Sequence, residues 1–101
     1  MTDPEAIKKI QARRQILNQL NRVYESPLLI QTLYRVMLGF DENYDLSLLR
    51  KDVTYLKQKG YVKYIDDVIG GADSFKDKVL GLTASGKEIA DRTQTDKVLE
   101  I

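Results

Sequence analysis

Apolar residues recur along the first quarter of the chain at helical spacing. Ala6, Ile10, Leu17, Leu20 and Tyr24 share one stripe, widened by Ile7, Ile16 and Val23, while Lys8, Lys9, Arg13, Arg14 and Arg22 take the other side. The pattern predicts a first helix running to about Tyr24. Asp3-Pro4-Glu5 supplies its start, because Asp3 can accept from the free N–H groups as N-cap and proline suits the first helical position. Ser26-Pro27 repeats that start. A second helix is expected through Leu28, Leu29, Ile30, Leu33, Tyr34, Val36, Met37 and Leu38, stopped by Gly39 in the left-handed conformation. It is apolar on most sides, which predicts the central and most buried helix. After a polar loop over 40–44, Asp45 reads as the N-cap of a third helix, about 45–59. Its buried stripe is Leu46, Leu49, Val53 and Leu56, and Gly60 ends it.

The period then changes. Residues 61–65 are rich in β-branched and aromatic side chains and predict a strand. Gly70-Gly71 with Asp73-Ser74 reads as a turn, 78–82 as the return strand, and Thr83 as the cap of a short last helix through Lys87, Ile89 and Ala90. The expected class is α+β, mostly α, with three clustered helices, a two-stranded antiparallel hairpin leaning on them, and a short C-terminal helix. Tyr24, Tyr34 and Tyr61 are expected in the core or half-buried. At 101 residues the chain has the size of one domain, assigned to 1–93. A short tail, 94–101, carries Val98, Leu99 and Ile101.

Two stretches carry a family resemblance. Leu49-Arg50-Lys51-Asp52-Val53-Thr54-Tyr55-Leu56-Lys57-Gln58-Lys59-Gly60-Tyr61-Val62 resembles a recognition helix running through a glycine into a first wing strand. Leu82-Thr83-Ala84-Ser85-Gly86-Lys87-Glu88-Ile89-Ala90 resembles the Leu-Thr-x-x-Gly segment after the second wing strand of bacterial regulators. With the first two helices, the likeness to winged-helix (winged helix-turn-helix) proteins covers about residues 5–92. Such patterns recur in the ArsR-like, MarR-like and PadR-like groups. The layout is most similar to small ArsR-like proteins of Mu-like prophages. The resemblance implies a bacterial or prophage transcriptional regulator whose third helix enters the major groove of duplex DNA. It would do so with Ser47, Lys51, Thr54, Tyr55 and Gln58 outward and Arg50 and Lys57 on one shoulder. Lys and Arg can reach guanine acceptors or phosphates, Gln can pair with adenine, and Thr can touch a thymine methyl.

Composition narrows the chemistry. There is no cysteine and no histidine, so disulfides, thiolate metal sites and imidazole acid–base catalysis are excluded. The cysteine and histidine ligands of metal-sensing ArsR-type regulators have no counterpart, and no cofactor or metal is expected. Asp41/Glu42 and Asp66/Asp67 read as solvating loop charges, lacking a histidine partner or calcium-loop spacing. Ser85-Gly86-Lys87 lacks the upstream glycine-rich loop of a phosphate cradle. No apolar run approaches the length of a membrane span, and residues 1–9 begin acidic, unlike a secretory leader. A cytoplasmic, non-enzymatic protein is the expectation.

Charge divides the readings. The formal net charge is only +1, too little for a whole-chain attraction to nucleic acid. Locally, residues 44–64 carry Arg50, Lys51, Lys57, Lys59 and Lys63 against Asp45 and Asp52, and 5 − 2 gives +3. Residues 1–24 carry five cations against Asp3 and Glu5, again +3. The hairpin region 65–78 opposes this, with Asp66, Asp67, Asp73 and Asp77 against Lys76 and Lys78, or −2. A small DNA-binding regulator therefore stands beside an alternative, a protein-interaction module on the same scaffold serving phage assembly or host interaction. The long first helix and the apolar tail are expected to serve a homodimer, since two-fold symmetry suits palindromic sites.

Overall fold

The computed structural model describes residues 4–65 and 75–92. The Asp3 cap, the Asp66/Asp67 pair, the Gly70-Gly71 turn and the tail from Thr93 lie outside these residues. Helix α1, Pro4–Arg22, opens on its proline and buries Ile16, Leu17 and Leu20. It stops two residues short of the sequence expectation. Past Leu20 the chain must reverse, and the Val23 carbonyl is taken by the Ser26 N–H in a turn. Val23 and Tyr24 are left exposed, so Tyr24 is not the core or half-buried residue expected.

Leu28 and Leu29 form a short strand, β1 (Leu28–Leu29), and not the opening of a helix. Helix α2, Ile30–Phe40, begins after them. The Ile30 N–H donates to the Lys78 carbonyl at 2.8 Å, and Leu29 offers no capping side chain. The sheet thus satisfies a helix-start donor that a Ser or Asp would otherwise cap. Gly39 does not stop α2, which runs through it. The end is set by Asp41, whose extended backbone leaves the helix while its side chain accepts from the Asn43 N–H at 3.0 Å. Nor is α2 the most buried helix: it buries Ile30, Leu33 and Met37, the helix that follows, Leu46–Gln58, buries Leu49, Asp52, Val53 and Leu56, and Phe40 at the end of α2 is 57% exposed.

Helix α3, Leu46–Gln58, follows the sequence closely. Asp45 caps it by accepting from the Leu48 N–H at 2.8 Å. Leu49, Val53 and Leu56 are fully buried, and Leu46 is half-buried. At the other end Gly60 takes φ +81°. Its N–H reaches the Lys57 carbonyl and the Tyr61 N–H reaches Leu56, a paired closure that requires the left-handed position glycine allows.

Strands β2 (Val62–Ile65) and β3 (Val79–Leu82) pair antiparallel, with Val62 opposite Leu82 and Ile65 opposite Val79. β1 adds to the far side of β3, with Leu28 opposite Leu80, so the sheet has three strands in the order β1-β3-β2. The two-stranded hairpin of the sequence reading lacked this third strand. Helix α4, Ala84–Ala90, is capped by Thr83, whose hydroxyl accepts from the Gly86 N–H at 3.0 Å and donates to the Gly60 carbonyl at 2.6 Å.

The molecule is α+β and mostly helical, with four helices and one antiparallel sheet among the described residues. Ile16, Leu17 and Leu20 of α1 meet Leu33, Leu49, Leu56, Leu80 and Ile89 in a single apolar cluster. Tyr44, placed by the sequence in a polar loop, is buried in the same cluster.

Candidate nucleic-acid interface

Burying Leu49, Val53 and Leu56 turns the opposite side of α3 to solvent. There Ser47, Arg50, Lys51, Thr54, Tyr55 and Gln58 line an open, shallow depression of about 410 Å³. Six of the seven residues that the sequence picked out are thus brought together. Their spacing of three and four residues explains it, since such positions lie one above another on a helix. Lys57 turns aside. Its Nζ stands 5.0 Å from the centre of the Tyr64 ring on β2.

The acid of this helix is the residue the charge count misjudged. Asp52 is the one carboxylate within α3, and it is buried at 4% exposure. Its Oδ2 accepts from the Tyr44 hydroxyl at 2.7 Å, and its Oδ1 accepts from Arg13 Nε of α1 at 3.1 Å. Burial pushes the Asp52 carboxyl above the usual carboxylate range, while the Tyr44 and Arg13 hydrogen bonds pull against that shift. The Tyr44 hydroxyl is also pushed up, first by burial and then by its bond to Asp52. Arg13, which the sequence placed on the cationic side of α1 away from the apolar stripe, turns inward to this pair. Its guanidinium carbon lies 3.8 Å from the centre of the Tyr55 ring, so Tyr55 is half-buried rather than fully outward.

A second group of cations gathers beside the depression. Lys78, just before β3, sets its Nζ 5.1 Å from the centre of the Tyr64 ring that Lys57 also approaches. Arg50 lies 5.6 Å from the centre of the Phe75 ring, which sits in a short 3-10 turn, Phe75–Asp77. Burial raises the Tyr64 hydroxyl, and the nearby Arg50 charge pulls it back. The sequence assigned Lys78 to an acidic hairpin and singled out neither Tyr64 nor Phe75.

The wider chemistry is spare. Among the described residues, no three His, Cys, Asp or Glu side chains come together as metal ligands would. No described helix is long and apolar enough to cross a membrane. No known family, curated protein or solved structure shows significant similarity to this chain.

Proposed function

We propose that the chain is a winged-helix protein that binds duplex DNA through the exposed face of α3, acting as a small bacterial or prophage regulator. One observation carries the reading: the acid of α3 is turned inward against Arg13, so the solvent face of that helix presents Arg50, Lys51 and Lys57 with no carboxylate among them. Ser47, Thr54 and Gln58 sit between these cations and can bond to phosphate or to base edges. The chain order α1-β1-α2-α3-β2-β3-α4, with β1 paired to β3, supports the scaffold. It is the order expected when a wing hairpin follows the recognition helix and a short strand after the first helix joins it.

The test is an anisotropy titration with random-sequence duplex DNA at two salt concentrations. Binding should be measurable near about 50 mM salt and fall steeply by about 200 mM. The double change Arg50→Ala and Lys51→Ala should weaken it and flatten the salt slope by up to about two units. No duplex binding at low salt would remove this reading. A protein-interaction module is then the second reading, favoured by the exposed Phe40 and Leu48 and by the net charge of only +1. A homodimer is proposed through α1, where Ile7 is 42% exposed. Light scattering of the purified chain decides that point.

A further inference from the structure

Arg13 is shared between two partners of different kinds. Its Nε donates to Asp52 at 3.1 Å while the plane of its guanidinium covers Tyr55 at 3.8 Å. The arginine side chain is 16% exposed and the aspartate side chain 6%, so the ion pair is largely withdrawn from water. Tyr44 closes the far side of Asp52 at 2.7 Å, which leaves the carboxylate little freedom to move. A guanidinium is flat and delocalised, and it can pair along its edge and stack on its face together. A lysine ammonium is a point charge: it can approach a carboxylate or a ring, but it has no flat face to stack while its edge is paired. Tyr55 therefore has one ring face held from behind by α1 while the residue lines the α3 depression in front.

We propose that Arg13 is a positioning residue for the α3 face: anchored by Asp52, it fixes Tyr55 as a rigid wall of the depression, from which the phenol contacts the sugar–phosphate backbone of a bound duplex. This rests on the duplex-binding reading of α3. Tyrosine hydroxyls are among the groups that bond to phosphate and set register on a duplex. Arg50 and Lys51 line the same depression and flank that contact with positive charge. A tyrosine free to rotate would lose part of the contact to the entropy of ordering it on binding.

The experiment uses the full chain and a random-sequence duplex. Arg13→Lys keeps the charge and the pair with Asp52 but removes the stack. Its affinity at low salt should fall about three- to tenfold, the scale of ordering one side chain on binding, with the salt slope unchanged. In the DNA-free protein the Tyr55 ring resonances, assigned from Tyr55→Leu, should lose the shift imposed by the guanidinium. Tyr55→Leu should lose affinity by a similar factor, and adding Arg13→Lys to it should cost nothing more, since coupled residues fail to add. Ile89→Val, a buried change on α4, loosens the fold away from this face, controls for stability and should bind as the unmodified chain does. Independent, additive losses from Arg13→Lys and Tyr55→Leu would overturn the positioning role while leaving duplex binding in place. Should Arg13→Lys not fold, Tyr55→Leu decides alone, and undiminished affinity there overturns the proposal. An unmodified chain that binds no duplex removes both the function and this inference.

Discussion

Asp52 shows how one side chain can change the meaning of a surface. Counted as a free charge it reduces the positive balance of its segment, but buried against Arg13 and Tyr44 it leaves the exposed face of α3 without an acid. Its folded-state pKa is raised by burial above the ordinary aspartate value of 3.8. The native state consequently binds more protons than the unfolded chain between those two values. The Asp52 contribution to stability is fully present below 3.8 and is lost as pH rises through the folded pKa. Relative to Asp52→Asn, the urea midpoint of the unmodified protein should therefore climb as pH is lowered from about 7 to about 4. A gap that shrinks on acidification would mean that the pair with Arg13 outweighs burial. The place of Asp52, three after Leu49 and four before Leu56, puts it on the buried side of the helix, a signal that the charge count passed over; its partners were not legible. The partners that bury it, Arg13 and Tyr44, lie 39 and 8 residues away.

Gly86 is a second residue whose role needs three dimensions. A Cβ there would fall onto the Tyr61 carbonyl and lie 2.8 Å from Leu82 Cδ1. The glycine of the Leu-Thr-x-x-Gly segment is thus the point where α4 crosses the backbone leading into β2. Gly86→Ala should destabilise the fold by about 1–3 kcal/mol, the usual range for overpacking, read as a drop in the denaturation midpoint. An unchanged midpoint would mean that α4 can lift off Tyr61.

Among the elements, α3 was the most legible because its signals agree: an aspartate cap, an apolar stripe and a glycine stop. Leu56 is fully buried on that stripe, and Leu56→Ala should cost about 2–5 kcal/mol. A loss under about 0.5 kcal/mol, the scale of a surface change, would mean the helix faces the other way. The Thr83 cap was equally readable, though its second bond, to the Gly60 carbonyl, was not. That bond ties the end of α3 to the start of α4. The error at β1 has a plain physical source. Leu28 and Leu29 follow a Ser-Pro pair that suits a helix start, and only pairing with Leu80 and Val79 turns them into strand. A two-residue strand has no period of its own to detect. The end of α2 went the same way, since the Asx turn at Asp41 outranked the glycine before it.

At the scale of the whole molecule, the sequence conveyed the order of the helices and of the two longer strands but not β1, and it identified the outward face of α3. It did not convey which cations stay on that face, because side-chain destinations depend on neighbouring elements. Arg13 leaves the cationic side of α1 to pair with Asp52, and Lys57 turns from the depression toward Tyr64. With a net charge of +1, the chain as a whole offers a polyanion little long-range attraction, so electrostatic affinity must come from the local cations. Arg50, Lys51 and Lys57 are the exposed cations of α3. With Lys57 turned to Tyr64, the two cations that line the depression, Arg50 and Lys51, give at about 0.9 of a unit per phosphate a slope of log K against log salt near −1.8. That value is the expected outcome of duplex titrations between about 50 and 200 mM salt. A slope near zero would place binding energy in uncharged contacts and favour a protein partner for this face. A slope steeper than about −4 would require cations beyond α3, with Lys63 on β2 and Lys78 just before β3 first in line. In that case Lys78→Ala should bring the slope back by about one unit.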